Sequence, residues 1–268
     1  MLKRTIAAIF LALIGIPAVL AGGVFYFLII TLLLSIAAWE FGRLFAKVGY
    51  HPASPLLVGG VFFILTTRTF FPDLMPAALT ISVLLAMTWH LLDYENGRDH
   101  AGTDFTITVA GVVYLGWVGS HLIDLRNLEN GLWWFFLVMP SVWLADSFAY
   151  FVGVRFGRHR MSPRLSPKKS WEGYWGGVFF GTLGALVLAI VFTRLELLTL
   201  PWWKGAALGA ALSVLTTLGD LGESMLKRQA GVKDSGQIIP GHGGVLDRID
   251  SWLWGAALGY FLITWFLL

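Results

Sequence analysis

Uninterrupted apolar stretches of about 17–25 residues recur from one end of this 268-residue chain to the other. Each is long enough to cross a hydrocarbon core roughly 30 Å thick. Inside lipid every backbone N–H and C=O must be satisfied within the protein, which leaves helices or closed barrels. Barrel strands alternate apolar and polar residues instead of running continuously apolar. The chain is therefore expected to be all-α: a polytopic integral membrane protein with about nine transmembrane helices. Composition agrees, with 57% of residues hydrophobic and 13% charged, against about 45–50% and about 25% in a soluble domain.

The spans are expected at 5–20, 22–41, 54–71, 74–92, 105–122, 132–153, 173–193, 203–225 and 249–268. Lys3-Arg4 and the stretch behind them have the form of a signal peptide. Ala21-Gly22-Gly23 leads directly into another span, however, so the first is read as retained. With the N-terminus inside, the cytoplasmic segments hold 15 of the 19 Lys and Arg, leaving Arg68, Arg126, Arg194 and Lys204 outside. That asymmetry follows the positive-inside rule. Two long polar loops, 154–172 and 226–248, then face the cytoplasm and flank one pair of spans, so they can meet at one surface. Residues 1–130 read mainly as scaffold and 131–268 as the catalytic region, within one continuous membrane domain.

Cysteine is absent, which removes disulfides, thiolate catalysis and zinc–thiolate sites. The six histidines show no HExxH spacing. Ionisable residues inside spans are functional candidates by default, and three places qualify. Asp146 lies in "VWLADSFAYFVG", Asp220 and Glu223 in "LTTLGDLGESMLKR", and Glu40 at the end of the second span. For Glu40 an interhelical polar bond is the first reading; for Asp146 that reading and a functional one stand level. Asp220 shares a helical face with Ser224, one turn on.

Asp247 and Asp250 open the last span. Acidic residues in a first turn complement the helix dipole, but Asp220 on a neighbouring helix end makes a second reading better. Carboxylates at one rim suit Mg²⁺, which takes one or two of them and completes its shell with water and substrate phosphate. Gly241, Gly243 and Gly244 supply either a turn or backbone N–H groups open to an anion. Lys227, Arg228, Lys233 and Arg248 lie alongside, which favours a phosphate-plus-metal site. In the other loop, "SPKKSWEG" sets the adjacent Lys168 and Lys169 after Pro167 and before Ser170 and Glu172. Paired lysines suit a polyphosphate as point charges. Arg155, Arg158 and Arg160 serve equally well as a topology signal or an anchor to anionic lipid. There is no P-loop, and "GHGG" is not a dinucleotide turn.

Ser224 to Asp250, "SMLKRQAGVKDSGQIIPGHGGVLDRID", resembles the signature of the phosphatidate cytidylyltransferases, or CDP-diacylglycerol synthases, throughout its length. The matching positions are Ser224, Lys227, Arg228, Lys233, Asp234, His242, Gly243, Gly244, Asp247, Arg248 and Asp250. The stretch "AD…AYFVG…FG…SPKKSWEG" is similar too, with Ser170 where the family often has Thr. Detailed likeness covers about the C-terminal half.

The resemblance implies that CTP and phosphatidic acid give CDP-diacylglycerol and pyrophosphate. It implies Mg²⁺ on Asp220 and Asp247, with Asp250 and Asp146 as lesser candidates; it admits Mn²⁺ in its place and a K⁺ beside it. Lys227 and Arg248 would act at the reacting phosphates. Lys168, Lys169, Ser170, Ser224, Arg228, Lys233, His242, Gly243 and Gly244 would bind substrate. The lipid bilayer, a homodimer, a bacterial inner membrane and a cytoplasmic active site also follow from the family, and no nucleic-acid partner is expected. Rival readings are a CTP-dependent enzyme on another membrane lipid (an ether-lipid cytidylyltransferase or a polyprenol kinase) and an ion-coupled transporter. A transporter would hold its polar residues near the midplane, whereas here they cluster in loops.

Overall fold

A computed structural model describes residues 13–239 and 243–268. Helices dominate it, and the protein is an all-α polytopic membrane protein. Six helices among the described residues are long and apolar enough to cross a membrane: Gly23–Ala46, Pro72–Glu95, Ala101–Asn127, Gly131–Phe156, Trp171–Arg194 and Trp202–Gln229. The segment expected to span at 54–71 forms the shorter helix Ser54–Phe70. That expected at 249–268 lies within the helix Leu246–Phe266. The first expected span lies partly outside the described residues; 13–21 are helical.

The chain divides into two units. The first comprises Met1–Ile123 and Lys227–Ile249, the second Asp124–Leu226 and Asp250–Leu268. Helices Gly23–Ala46 and Ser54–Phe70 of the first unit pack together and against a π-helical turn, Val112–Val118, that continues the helix Ala101–Gly111. Glycine allows the approach: a Cβ on Gly111 would stand 2.9 Å from the Phe41 ring. Buried Asp104 fastens the adjoining loops, accepting from His51 N at 2.8 Å and Arg98 Nε at 2.7 Å. Thr108 Oγ1 accepts from Ala53 N at 3.0 Å. Loop donors buried beside helix ends thus find acceptors, as they must.

Small residues build the second unit. Along Trp171–Arg194, Gly173, Gly177, Gly181, Ala185 and Ala189 recur every fourth position and are all buried. A Cβ on Gly177 would lie 2.6 Å from the Ala145 carbonyl oxygen, and one on Gly173 2.5 Å from that of Ala149. Gly205 and Gly209 of the helix Trp202–Leu215 meet Ala189 and Ala185 on the same stripe. Lipid offers helices no hydrophobic drive to associate, so close backbone packing of this kind holds them. Gly255 and Gly259 of the last helix pack against Val142 and Val138 in the same way.

Two local features add to the hydropathy reading. The eighth apolar segment lies in the helical run Trp202–Gln229, in which the single turn residue Thr216 separates an apolar part, Trp202–Leu215, from a polar part, Thr217–Gln229. Thr216 Oγ1 donates to Leu212 O at 2.8 Å. Asp220 stands toward the end of that run, as expected, in the first turn after Thr216. The cationic loop also contains a hairpin, in which Arg160–Ser162 pairs antiparallel with Ser166–Ser170.

Candidate active site

The signature residues of the first unit form one hydrogen-bonded network around Asp247. Its Oδ1 lies 2.7 Å from Lys227 Nζ. Its Oδ2 accepts from Ser235 N at 2.9 Å, Ser235 Oγ at 3.0 Å and Gly244 N at 2.8 Å. Burial opposes ionisation of this carboxyl, but Lys227, Gly244 and Ser235 outweigh it, holding the pKa below the usual carboxylate range. Asp247 sits at the mouth of its helix, ahead of the apolar span, and carries its charge at neutral pH.

The glycines fit around this carboxylate. Gly243 has φ +86°, and a Cβ there would stand 2.6 Å from Asp247 Oδ2. Only glycine adopts that conformation at so little cost. The turn is closed by Ile239 N donating to Gly243 O at 3.0 Å. The Gly244 N–H is given to Asp247, and Gly241 falls outside the described residues. Lys233 and Arg248 are exposed. Arg228 donates to Val232 O at 3.2 Å within the same loop. His242 falls outside the described residues.

Glu40 belongs to this network as well. It is buried, and its Oε2 accepts from Leu246 N at 2.9 Å and Ser235 Oγ at 3.3 Å. The interhelical polar bond expected for it is present, to the first residue of the helix Leu246–Phe266, and Ser235 of the signature loop lies beside it. Neither Glu40's reach nor the role of Ser235 was legible beforehand; the one signal was an ionisable residue closing a span.

The second unit gathers the remaining carboxylates. Lys169 Nζ lies 2.6 Å from Asp220 Oδ2, and Ser224 Oγ donates to Asp220 Oδ1 at 3.3 Å. Ser251 hydrogen-bonds to Asp146, whose electrostatic neighbours are Asp250, Asp220 and Lys169. Ser251 N donates to Asp250 Oδ1 at 2.7 Å. Asp146, Asp220 and Asp250 therefore share one neighbourhood with Lys169.

Lys168 and Lys169 have different surroundings. They sit in an extended strand, where successive side chains point to opposite faces, so Lys169 reaches Asp220 while Lys168 is exposed. Ser170 is buried and caps the following helix, its Oγ accepting from Gly173 N at 3.2 Å. Glu172 holds the loop entry, accepting from Arg158 N at 3.0 Å and from His159 Nδ1 at 2.6 Å.

Half-buried carboxylates, loop cations and a glycine turn at helix ends are groups suited to a polyanion. Comparison gives the class: a model of the cytidylyltransferase family matches residues 2–266, and the chain belongs to that family. Among its relatives is the phosphatidate cytidylyltransferase of Bacillus subtilis (strain 168), 35% identical over 99% of this chain and 98% of that protein. The phosphatidate cytidylyltransferase of Pseudomonas aeruginosa is 38% identical, covering 94% of this chain and 93% of its own length. That of Thermotoga maritima is 46% identical over 46% of each chain.

Proposed function

We propose that this chain transfers the cytidylyl group of CTP to phosphatidate, giving CDP-diacylglycerol and pyrophosphate, at the cytoplasmic face of a bacterial inner membrane. The observation that carries the reading is the family match from residue 2 to residue 266, with relatives of that name at full length. Nine crossings with the N-terminus inside, and a homodimer, belong to the same proposal.

In the reaction a phosphate oxygen of phosphatidate forms a bond to the α-phosphorus of CTP, and the bond to pyrophosphate breaks. A phosphomonoester with a second pKa of about 6 is largely ionised at neutral pH, so no strong general base is needed. The barrier lies in bringing two polyanions together and in stabilising the leaving pyrophosphate. Lys227, Arg228, Lys233 and Arg248 of the signature loop are assigned to the CTP phosphates. Lys168 and Lys169 are assigned to substrate phosphate, with Ser170 and Ser224 setting their surroundings. His242, Gly243 and Gly244 complete the loop.

The donor set fits Mg²⁺ in its chemistry. Among the described residues no group of three or more His, Asp or Glu is placed to hold a metal ion; Mg²⁺ takes one or two carboxylates and fills its shell with water and phosphate. The metal carboxylates of this proposal are Asp220, Asp146 and Asp250, neighbours in the second unit, and Asp247, which rests on the signature alone. When bound, Mg²⁺ would neutralise charge on the phosphates. Mn²⁺ as a substitute and K⁺ as an accessory ion belong to the proposal on the same footing.

Purified protein given phosphatidate and α-labelled CTP is expected to move label into the organic phase, to stop with EDTA and to resume with Mg²⁺. Label that stays aqueous, or transfer indifferent to EDTA, would sink the proposal. A phosphomonoester with truncated, water-soluble chains should react poorly, because the headgroup has to be presented from the bilayer. Equal turnover of such an analogue in parallel assays would overturn that expectation.

A further inference from the structure

Glu40 lies in the helix Gly23–Ala46, within the part of the chain that reads as scaffold, yet its carboxylate ends in the signature loop. Its two donors, Ser235 Oγ and Leu246 N, are 195 and 206 positions away in the sequence. Leu246 begins the helix that carries Asp247 and Arg248. The first N–H groups of a helix have no intrahelical acceptor, so Glu40 supplies this one with a cap from a remote element.

Ser235 is shared. Its hydroxyl lies 3.3 Å from Glu40 Oε2 and 3.0 Å from Asp247 Oδ2, and a hydroxyl has a single proton to donate. It therefore spaces the two carboxylates. The loop backbone is shaped around Glu40: a Cβ on Gly236 or on Gly244 would run into its carboxylate. A charged residue only 1% exposed is costly to place without donors, and one that merely tied two helices together would not need two glycines cleared for it.

We infer that Glu40 is a positioning residue for the nucleotide. By capping the Leu246–Phe266 helix and fixing Ser235, it holds Asp247, Lys227 and the Gly243-Gly244 turn in the arrangement that receives the CTP phosphates. This rests on the assignment of the loop to CTP proposed above.

The test compares Michaelis constants for the two substrates, which do not depend on the fraction of enzyme that is folded. Glu40→Gln keeps an oxygen that accepts both bonds and should leave both constants within about threefold of wild type. Glu40→Leu has similar bulk and no acceptor, leaving a buried N–H unpaired. It should raise the KM for CTP about tenfold or more and that for phosphatidate by less than about twofold. Ser235→Ala should show the same selectivity more weakly, and it decides the matter if Glu40→Leu does not fold. Glutamine as damaging as leucine, both constants rising together, or neither moving would each overturn the inference. The metal assignment fails separately: normal Mg²⁺-dependent turnover by Asp247→Asn would remove it whatever the Glu40 variants do.

Discussion

Replacing either Asp220 or Asp247 by asparagine is expected to abolish formation of the lipid product, with a loss of at least about 10²–10³-fold in turnover, while expression and membrane insertion persist. The two substitutions fail for different physical reasons. At Asp247 the amide must present its NH₂ either to Lys227 or to the Ser235 and Gly244 N–H groups, so a donor meets a donor in both orientations. At Asp220 the loss is one negative charge opposite Lys169, in a neighbourhood that also contains Asp146 and Asp250. Measured in detergent with saturating Mg²⁺, turnover near wild type in either variant would remove that residue from the metal assignment. A titration of Mg²⁺ adds a second reading: rescue of Asp220→Asn at high concentration would mark weakened ion binding.

The other large effect concerns folding. Gly177→Leu should prevent the helices Gly131–Phe156 and Trp171–Arg194 from packing, because a Cβ alone would lie 2.6 Å from the Ala145 carbonyl oxygen and 2.9 Å from the Ala149 Cβ. Overpacking of a tight core costs about 1–3 kcal/mol even for added methylenes, and here the obstacle is backbone. A fall in melting temperature of about 5–10 °C, or failure to elute as a single species in detergent, is the expected result. Gly222→Ala is the control: nothing lies within 4 Å of a Cβ there, and alanine favours a helix by about 1 kcal/mol over glycine. Equal melting temperatures for the Gly177→Leu variant and wild type would show that the stripe does not hold this unit together.

Much of this architecture is legible in the sequence because lipid imposes length and hydropathy on whatever crosses it. The signature from Ser224 to Asp250 is legible for a similar reason, since its charges and glycines stand out against an apolar chain. Interruptions are harder to see. The turn residue Thr216 sets Asp220 in a first turn inside a longer helical run, and a hydropathy window passes over it because both flanks continue one segment. The strand Ser166–Ser170 turns Lys168 and Lys169 to opposite faces, which adjacency in sequence does not show. Glu40 illustrates the remaining difficulty: a side chain's partners about 200 residues away leave no local pattern. The stripe from Gly173 to Ala189 does have one, a small residue at every fourth position.

That stripe also determines which parts of the second unit can move. Along the stripe itself the helices touch backbone to backbone, with no long side chain to change rotamer and take up a displacement. Phe148 and Phe180 stack between the helices Gly131–Phe156 and Trp171–Arg194, their ring centroids 3.9 Å apart. A slide by one residue would drive a side chain into a carbonyl oxygen. The stripe thus opposes sliding of the helices Gly131–Phe156, Trp171–Arg194 and Trp202–Leu215 past one another. Rearrangement within that unit during turnover falls to what side-chain bonds alone retain, such as the hairpin held by Glu172 and the Lys169–Asp220 latch.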